Sequence, residues 1–174
     1  MNLLFQMLMG KPRAKASRVS AAPSPAKKMA TAQAAKPTAS RRKRQYDLLV
    51  KELSARYGIN IKRWRRSTSG VAWTMRSRNG TITRWVEAPY PTGPVSCAVF
   101  LHEVGHHAIG LGVHKPRCLE EHLAWQWALR TMQERDLNIT AGVTRRVERS
   151  MKYAVSKAVR RGLKRLPVEL QQYL

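Results

Sequence analysis

The sequence predicts an α+β fold on three observations. Apolar residues recur at helical spacing over residues 41–57 and again in three stretches after residue 94. Between these, residues 59–87 switch to a period of two, the signature of half-buried strands. Glycine and proline stand at each change of period.

In the first segment Tyr46, Leu49, Val50, Leu53 and Tyr57 share one helical face, with Ser40 as N-cap and Gly58 as stop. Ile59 and Ile61, then Val71, Trp73 and Met75, then Ile82 and Val86 alternate with polar neighbours. Asn79-Gly80 lies between the last two runs and signals a tight hairpin. The expectation is a three-stranded antiparallel meander, ended by Pro89, Pro91 and Pro94. A helix over 94–109 follows, with Val95, Ala98, Val99, Leu101 and Val104 apolar, and Gly110 and Gly112 close it. Further helices are expected over 117–134 and 141–161, and Pro167 opens a short last turn. Three regions result: a basic Ala/Pro/Ser-rich tail over 1–40, a core over 41–139 and a basic helical extension over 140–174.

The 174 residues carry a formal net charge of +23. Residues 1–46 hold eleven Lys and Arg before the first carboxylate, Asp47. Charge of this kind governs partners more than fold, and points to nucleic acid, an anionic surface or an acidic protein. Residues 10–40 offer too few large apolar groups to offset the entropy of ordering, so disorder is expected there. Two readings of the tail are open, a solubilising segment or an arm for phosphates. The start, MNLLFQMLMGKPR, lacks the charged n-region of a secretory signal; its acid-free surroundings also fit an organellar leader. No apolar run is long enough to span a membrane. Two cysteines, Cys97 and Cys118, make no disulfide framework and no C-x-x-C metal site, and fit a reducing compartment.

The chemistry is carried by His102-Glu103-Val104-Gly105-His106. Residues i and i+4 of a helix lie one turn apart on one face, so both imidazoles can reach one metal ion. The residue after the first histidine is rotated by roughly a quarter turn. Its carboxylate then reaches a metal-bound water rather than the metal, where a general base for hydrolysis must stand. Gly105 within the helix costs about 0.5–1 kcal/mol relative to alanine. Close approach of another backbone would offset that.

A third ligand has to come from elsewhere; six residues after His106 stands Gly112, not histidine. The segment CLEEHLAWQWAL at 118–129 offers Glu120, Glu121 and His122. With it, residues 80–132 resemble the HExxH zincin metallopeptidases of Glu-zincin type, and among them the ImmA/IrrE-like peptidases of phages and mobile elements. In that group a second helix supplies a glutamate followed by small residues. Glu121, with Ala124 and Ala128 three and seven residues on, matches that register, and Glu120 is the next choice. The resemblance implies a zincin-like fold, zinc (Zn2+) held by His102, His106 and Glu121, and Glu103 as general base on a zinc-bound water. It implies peptide-bond hydrolysis in a protein or peptide substrate, and the cytoplasm of a bacterial host, with virion association as a variant. One departure concerns the position four residues after Glu121, an aspartate in some Glu-zincins and here Trp125. The partner that orients the histidines is thus unassigned, and His107, His114, His122 and Tyr90 are all candidates for the transition-state donor. SprT-type proteases, a related resemblance, would take His122 as third ligand.

Residues 145–165 hold nine Lys and Arg against one Glu. That face is either solvated or binds nucleic-acid phosphates without sequence preference or an acidic partner. Trp64, Trp73 and Trp85 alternate with arginines on the strands; core on one side and solvent on the other is the simpler reading than a platform for single strands. The rival to an enzyme is a basic nucleic-acid-binding or virion-associated protein stapled by structural zinc.

Overall fold

The computed structural model describes residues 39–174. The tail expected to be disordered over 10–40, and the leader reading of the first residues, therefore lie almost wholly outside the described residues. Five helical segments and three strands follow: α1 (Ala39–Tyr57), β1 (Ile59–Arg65), β2 (Val71–Arg76), β3 (Ile82–Pro89), α2 (Pro94–Ala108), α3 (Arg117–Glu134), α4 (Ala141–Arg160) and a terminal 3-10 turn, η1 (Val168–Tyr173). The α+β class is as expected. Ser40 sits inside α1 rather than capping it. Tyr46, Leu49 and Leu53 are the buried face of that helix.

The sheet corrects the expected antiparallel meander. Its order is β1-β3-β2. β3 runs antiparallel to β2 across the Asn79-Gly80 hairpin and parallel to β1, so the sheet is mixed. The physical reason lies in β3. Its Val86 and Ala88 are fully buried, whereas β2 has no buried residue, so β3 takes the centre and β2 an edge. Glu87 is the one carboxylate among residues 59–89. It accepts from Arg63 and Arg65 of β1, each at 3.0 Å, which joins β1 to the other side of β3. Burial outweighs these pairs, which solvent screens. On the β2 side Trp73 stands opposite Trp85 and stacks on it at 6.4 Å.

Helix α2 lies at the middle of the structure. Every residue from Cys97 to His107 is buried. Ser96 secures its start by accepting the Gly93 amide at 3.1 Å, and Pro94 supplies a first-turn residue with no N–H to satisfy. On one side α2 meets β3; on another it packs on α3 at very short range. A Cβ on Gly105 would lie 2.8 Å from the Ala124 carbonyl oxygen and 3.2 Å from the Trp127 ring. Glycine in mid-helix is thus offset by close helix contact, as the sequence led us to expect. We predict that Gly105→Ala lowers stability by about 1–3 kcal/mol despite alanine's helix preference, because a backbone carbonyl cannot swing aside. Urea denaturation reads this directly; an unchanged midpoint would mean the helices are not in contact at this residue.

Helix α4 closes the other side. Thr140 caps it by accepting the Val143 amide at 3.4 Å. Its Val143, Met151 and Val155 are buried in the common core with Leu170 of η1. Among the described residues no helix is long and apolar enough to cross a membrane.

Candidate metal centre

The buried run of α2 carries His102 and His106 with their rings 4.7 Å apart, as one helical turn requires. The first turns of α3 bring Glu121 to them. Its Oε2 lies 3.2 Å from His102 Nε2 and 3.6 Å from His106 Nε2. The three ligand atoms all fall within 4.8 Å of one another. Donors bound tetrahedrally at 2.0–2.1 Å stand about 3.3 Å apart, by the geometry of such a site. The separations from the carboxylate match that span, so the two imidazoles and one carboxylate suit a divalent metal ion.

The other histidine nitrogens decide whether the ligand lone pairs are available. His106 Nδ1 donates to Glu120 Oε1 at 3.0 Å. That bond places the proton on Nδ1 and leaves Nε2 free to coordinate. Glu120 is fully buried and held on three sides: it also accepts from Arg117 Nη1 at 3.0 Å and from the Gly112 amide at 2.8 Å. Gly112 has φ +81°, so glycine suits the turn that aims this amide inward. The orienting partner missing from the sequence reading is therefore Glu120, which faces the outer nitrogen of His106 while its neighbour Glu121 faces the inner ones. His102 is oriented differently: its ring stacks on Trp125 at 4.1 Å, and its Nδ1 is buried without a hydrogen-bond partner. Arg117 Nε binds Glu121 Oε1 at 3.0 Å, so one carboxylate oxygen is engaged and the other faces the histidines.

Burial dominates the electrostatics. It drives His102 down to about 4, against the opposing pull of Glu121. His106 is also desolvated, but hydrogen bonding and charge from Glu121, with Glu103 adding, leave it net raised. Burial alone would raise Glu121; hydrogen bonds from both histidines reverse this and hold it far below the usual carboxylate range. Glu103, buried beside them, is pushed up to about 7 by desolvation. A carboxylate raised by burial beside histidines in a cleft marks a candidate functional group.

A cleft of about 880 Å³ opens over His102, Glu103 and Glu121. Glu103, His102, Glu121 and Trp125 lie on its floor, Ser69 and Gly70 at one rim, and α4 along one wall. A Cβ on Gly70 would collide with the Glu103 side chain, so the glycine makes the room this carboxylate occupies. Arg146 of α4 donates to the Thr68 carbonyl at 2.9 Å and to Ser150, holding the β1–β2 loop against the cleft.

The remaining candidates lie elsewhere. His107 Nε2 donates to the Trp85 carbonyl at 3.1 Å and His114 Nε2 to the Ile109 carbonyl at 3.0 Å. His122 accepts from Gln126 at 2.8 Å and faces Tyr173, and Tyr90 donates to Asp47. None of these four lines the cleft. Gly70 and Arg146 were missed because no sequence pattern links them to residues more than 30 positions away. The one signal was for Glu120, paired with Glu121 in the same short run.

We predict that Glu120→Ala weakens metal binding by roughly 10–100-fold, the usual effect of losing a ligand's orienting partner, without removing the site. A competitive zinc titration measures it; affinity equal to wild type would show that His106 needs no such partner.

No family model matches the chain, and no curated protein or solved structure matches it, so the likeness to Glu-zincins rests on the motif residues alone.

Proposed function

We propose that the protein is a zinc-dependent metallopeptidase, with His102, His106 and Glu121 as zinc ligands and Glu103 as general base. The observation that carries this reading is the convergence of three ligand atoms beneath an open cleft, with Glu103 next to them. Structural zinc sites use four protein ligands and are closed; three ligands and an open side suit catalysis. Two imidazoles and a carboxylate also suit zinc better than they suit a hard ion bound through oxygen alone.

When bound, zinc supplies a Lewis acid that polarises a carbonyl and lowers the pKa of water to about 7. The chain's own residues do the rest. Glu103 takes a proton from the attacking water and passes it to the leaving amine. Arg117 and Glu120 keep Glu121 and His106 in place. Ser69 and Gly70 line the cleft just ahead of edge strand β2, where strand addition would align the backbone of an extended substrate. Arg146 keeps the β1–β2 loop against the cleft through Thr68 and Ser150. The buried free cysteines fit a reducing compartment such as the cytoplasm.

The test is hydrolysis of a mixed peptide library by the zinc-loaded full-length protein, read by mass spectrometry, beside Glu103→Gln. Cleavage by wild type alone is expected. Equal products from both proteins, or none from either with zinc bound, would sink the peptidase reading and leave the structural-zinc, nucleic-acid-binding protein.

A further inference from the structure

Of the nine bases over residues 145–165, four line the cleft: Arg146, Arg149, Lys157 and Arg161. Arg146 is engaged with Thr68 and Ser150. The other three have no carboxylate partner among the described residues; on this segment Glu148 is taken up by Lys152, at 2.8 Å. Lys157 lies over the ring of Tyr153, 5.6 Å from its centroid, and that ring is itself part of the wall. Among the described residues the only acids lining the cleft are Glu103 and Glu121, and Glu121 is already bound by both histidines and Arg117. One wall of the cleft is thus a row of uncompensated cations.

The spacing of that row has a length. Arg149 to Arg161 spans twelve residues, roughly 18 Å at 1.5 Å per helical residue. An extended chain rises about 3.3 Å per residue, so about five residues would lie along it. Tyr153, Ala154 and Ala158 stand between the cations and give apolar contact to the same chain. A cleft of about 880 Å³ with this mixed lining has the size of a site for a short segment.

We infer that the segment held in this cleft is an acidic stretch of polypeptide, its Asp and Glu side chains bound by Arg149, Lys157 and Arg161 while a neighbouring peptide bond lies over Glu103. This rests on the peptidase reading for the last step only; recognition of the segment is independent of turnover. A row of like charges with no partner in the cleft raises the cost of binding a cationic chain as well as favouring an anionic one.

The test is fluorescence anisotropy with the zinc-loaded full-length Glu103→Gln protein, which separates binding from cleavage. The probes are a labelled ten-residue Glu/Asp-rich peptide, its Gln/Asn counterpart and a single-stranded oligonucleotide of equal charge. The acidic peptide is expected to bind at least about tenfold tighter than the neutral one, from three partly screened ion pairs. Adding Arg149→Glu, Lys157→Glu and Arg161→Glu should abolish the preference. Equal charge reversal at the exposed Arg76, Arg78 and Arg130, outside the cleft, should leave most of it. A preference that survives the α4 reversal, or falls equally with the remote one, overturns the inference. Oligonucleotide binding as tight as the acidic peptide's and lost with the same α4 residues overturns it in favour of nucleic acid. If acidic peptides bind as described and are never cut by wild type, the peptidase reading and the placement of a peptide bond over Glu103 fail, and recognition of the acidic segment stands.

Discussion

Replacing Glu121 with alanine is expected to cost the protein its metal. Among the described residues Glu121 is the only carboxylate whose oxygen faces both inner imidazole nitrogens, at 3.2 and 3.6 Å. Zinc bound by a full protein ligand set contributes about 10–16 kcal/mol. Losing one of three protein ligands should therefore remove several kcal/mol, on the order of a thousandfold in affinity by that scale. The Glu120→Ala change, one residue away, should be the milder of the two, since Glu120 acts through His106. Side-by-side competition titrations would read the order. Stoichiometric metal in Glu121→Ala, held within a few-fold of wild type, would remove Glu121 from the ligand set.

The second large effect is expected at Glu103. Its glutamine replacement has nearly the same shape, so it keeps the contact with Gly70 and leaves His102 and His106 undisturbed. An amide takes up no proton from water, however, and peptide hydrolysis should fall by roughly 10²–10⁴-fold, the range for a lost general base. Zinc content should stay the same. This combination, metal kept and turnover lost, is what separates a base from a ligand. Turnover within a few-fold of wild type would show that Glu103 takes no part in the reaction, and loss of metal would show that it holds the ion.

Much of this molecule is legible residue by residue. The expected helices over 94–109, 117–134 and 141–161 correspond to Pro94–Ala108, Arg117–Glu134 and Ala141–Arg160. Their apolar periods and their Gly and Pro boundaries are local signals, and local signals survive without knowledge of neighbours. The pair His102 and His106 is legible for the same reason, since one turn of helix sets their separation. Strand order is not. Alternation says which face of a strand is buried, but neither Ile59 nor Val71 records that β3 will insert between their strands. The deciding facts are the full burial of Val86 and Ala88 and the reach of Arg63 and Arg65 to Glu87.

The glutamate pair shows the same limit at the site. Successive helical residues point about 100° apart, so Glu120 and Glu121 cannot both face the inner nitrogens. Sequence alone leaves open which one does and assigns the other no task. Once α3 packs on α2 through Gly105 and Ala124, the rotation of α3 is set and each carboxylate meets a different nitrogen. The cationic helix was visible as composition, and its use was not: only the packed structure turns Arg149, Lys157 and Arg161 toward the cleft rather than away from it.

X-ray absorption at the zinc edge of the loaded full-length protein bears most directly on the metal centre. Two imidazole nitrogens and light oxygen donors at about 2.0–2.2 Å, with no sulfur, are expected from His102, His106, Glu121 and solvent. A sulfur shell near about 2.3 Å, drawn from Cys118 on the same cleft, or a spectrum without imidazole scattering, would contradict it.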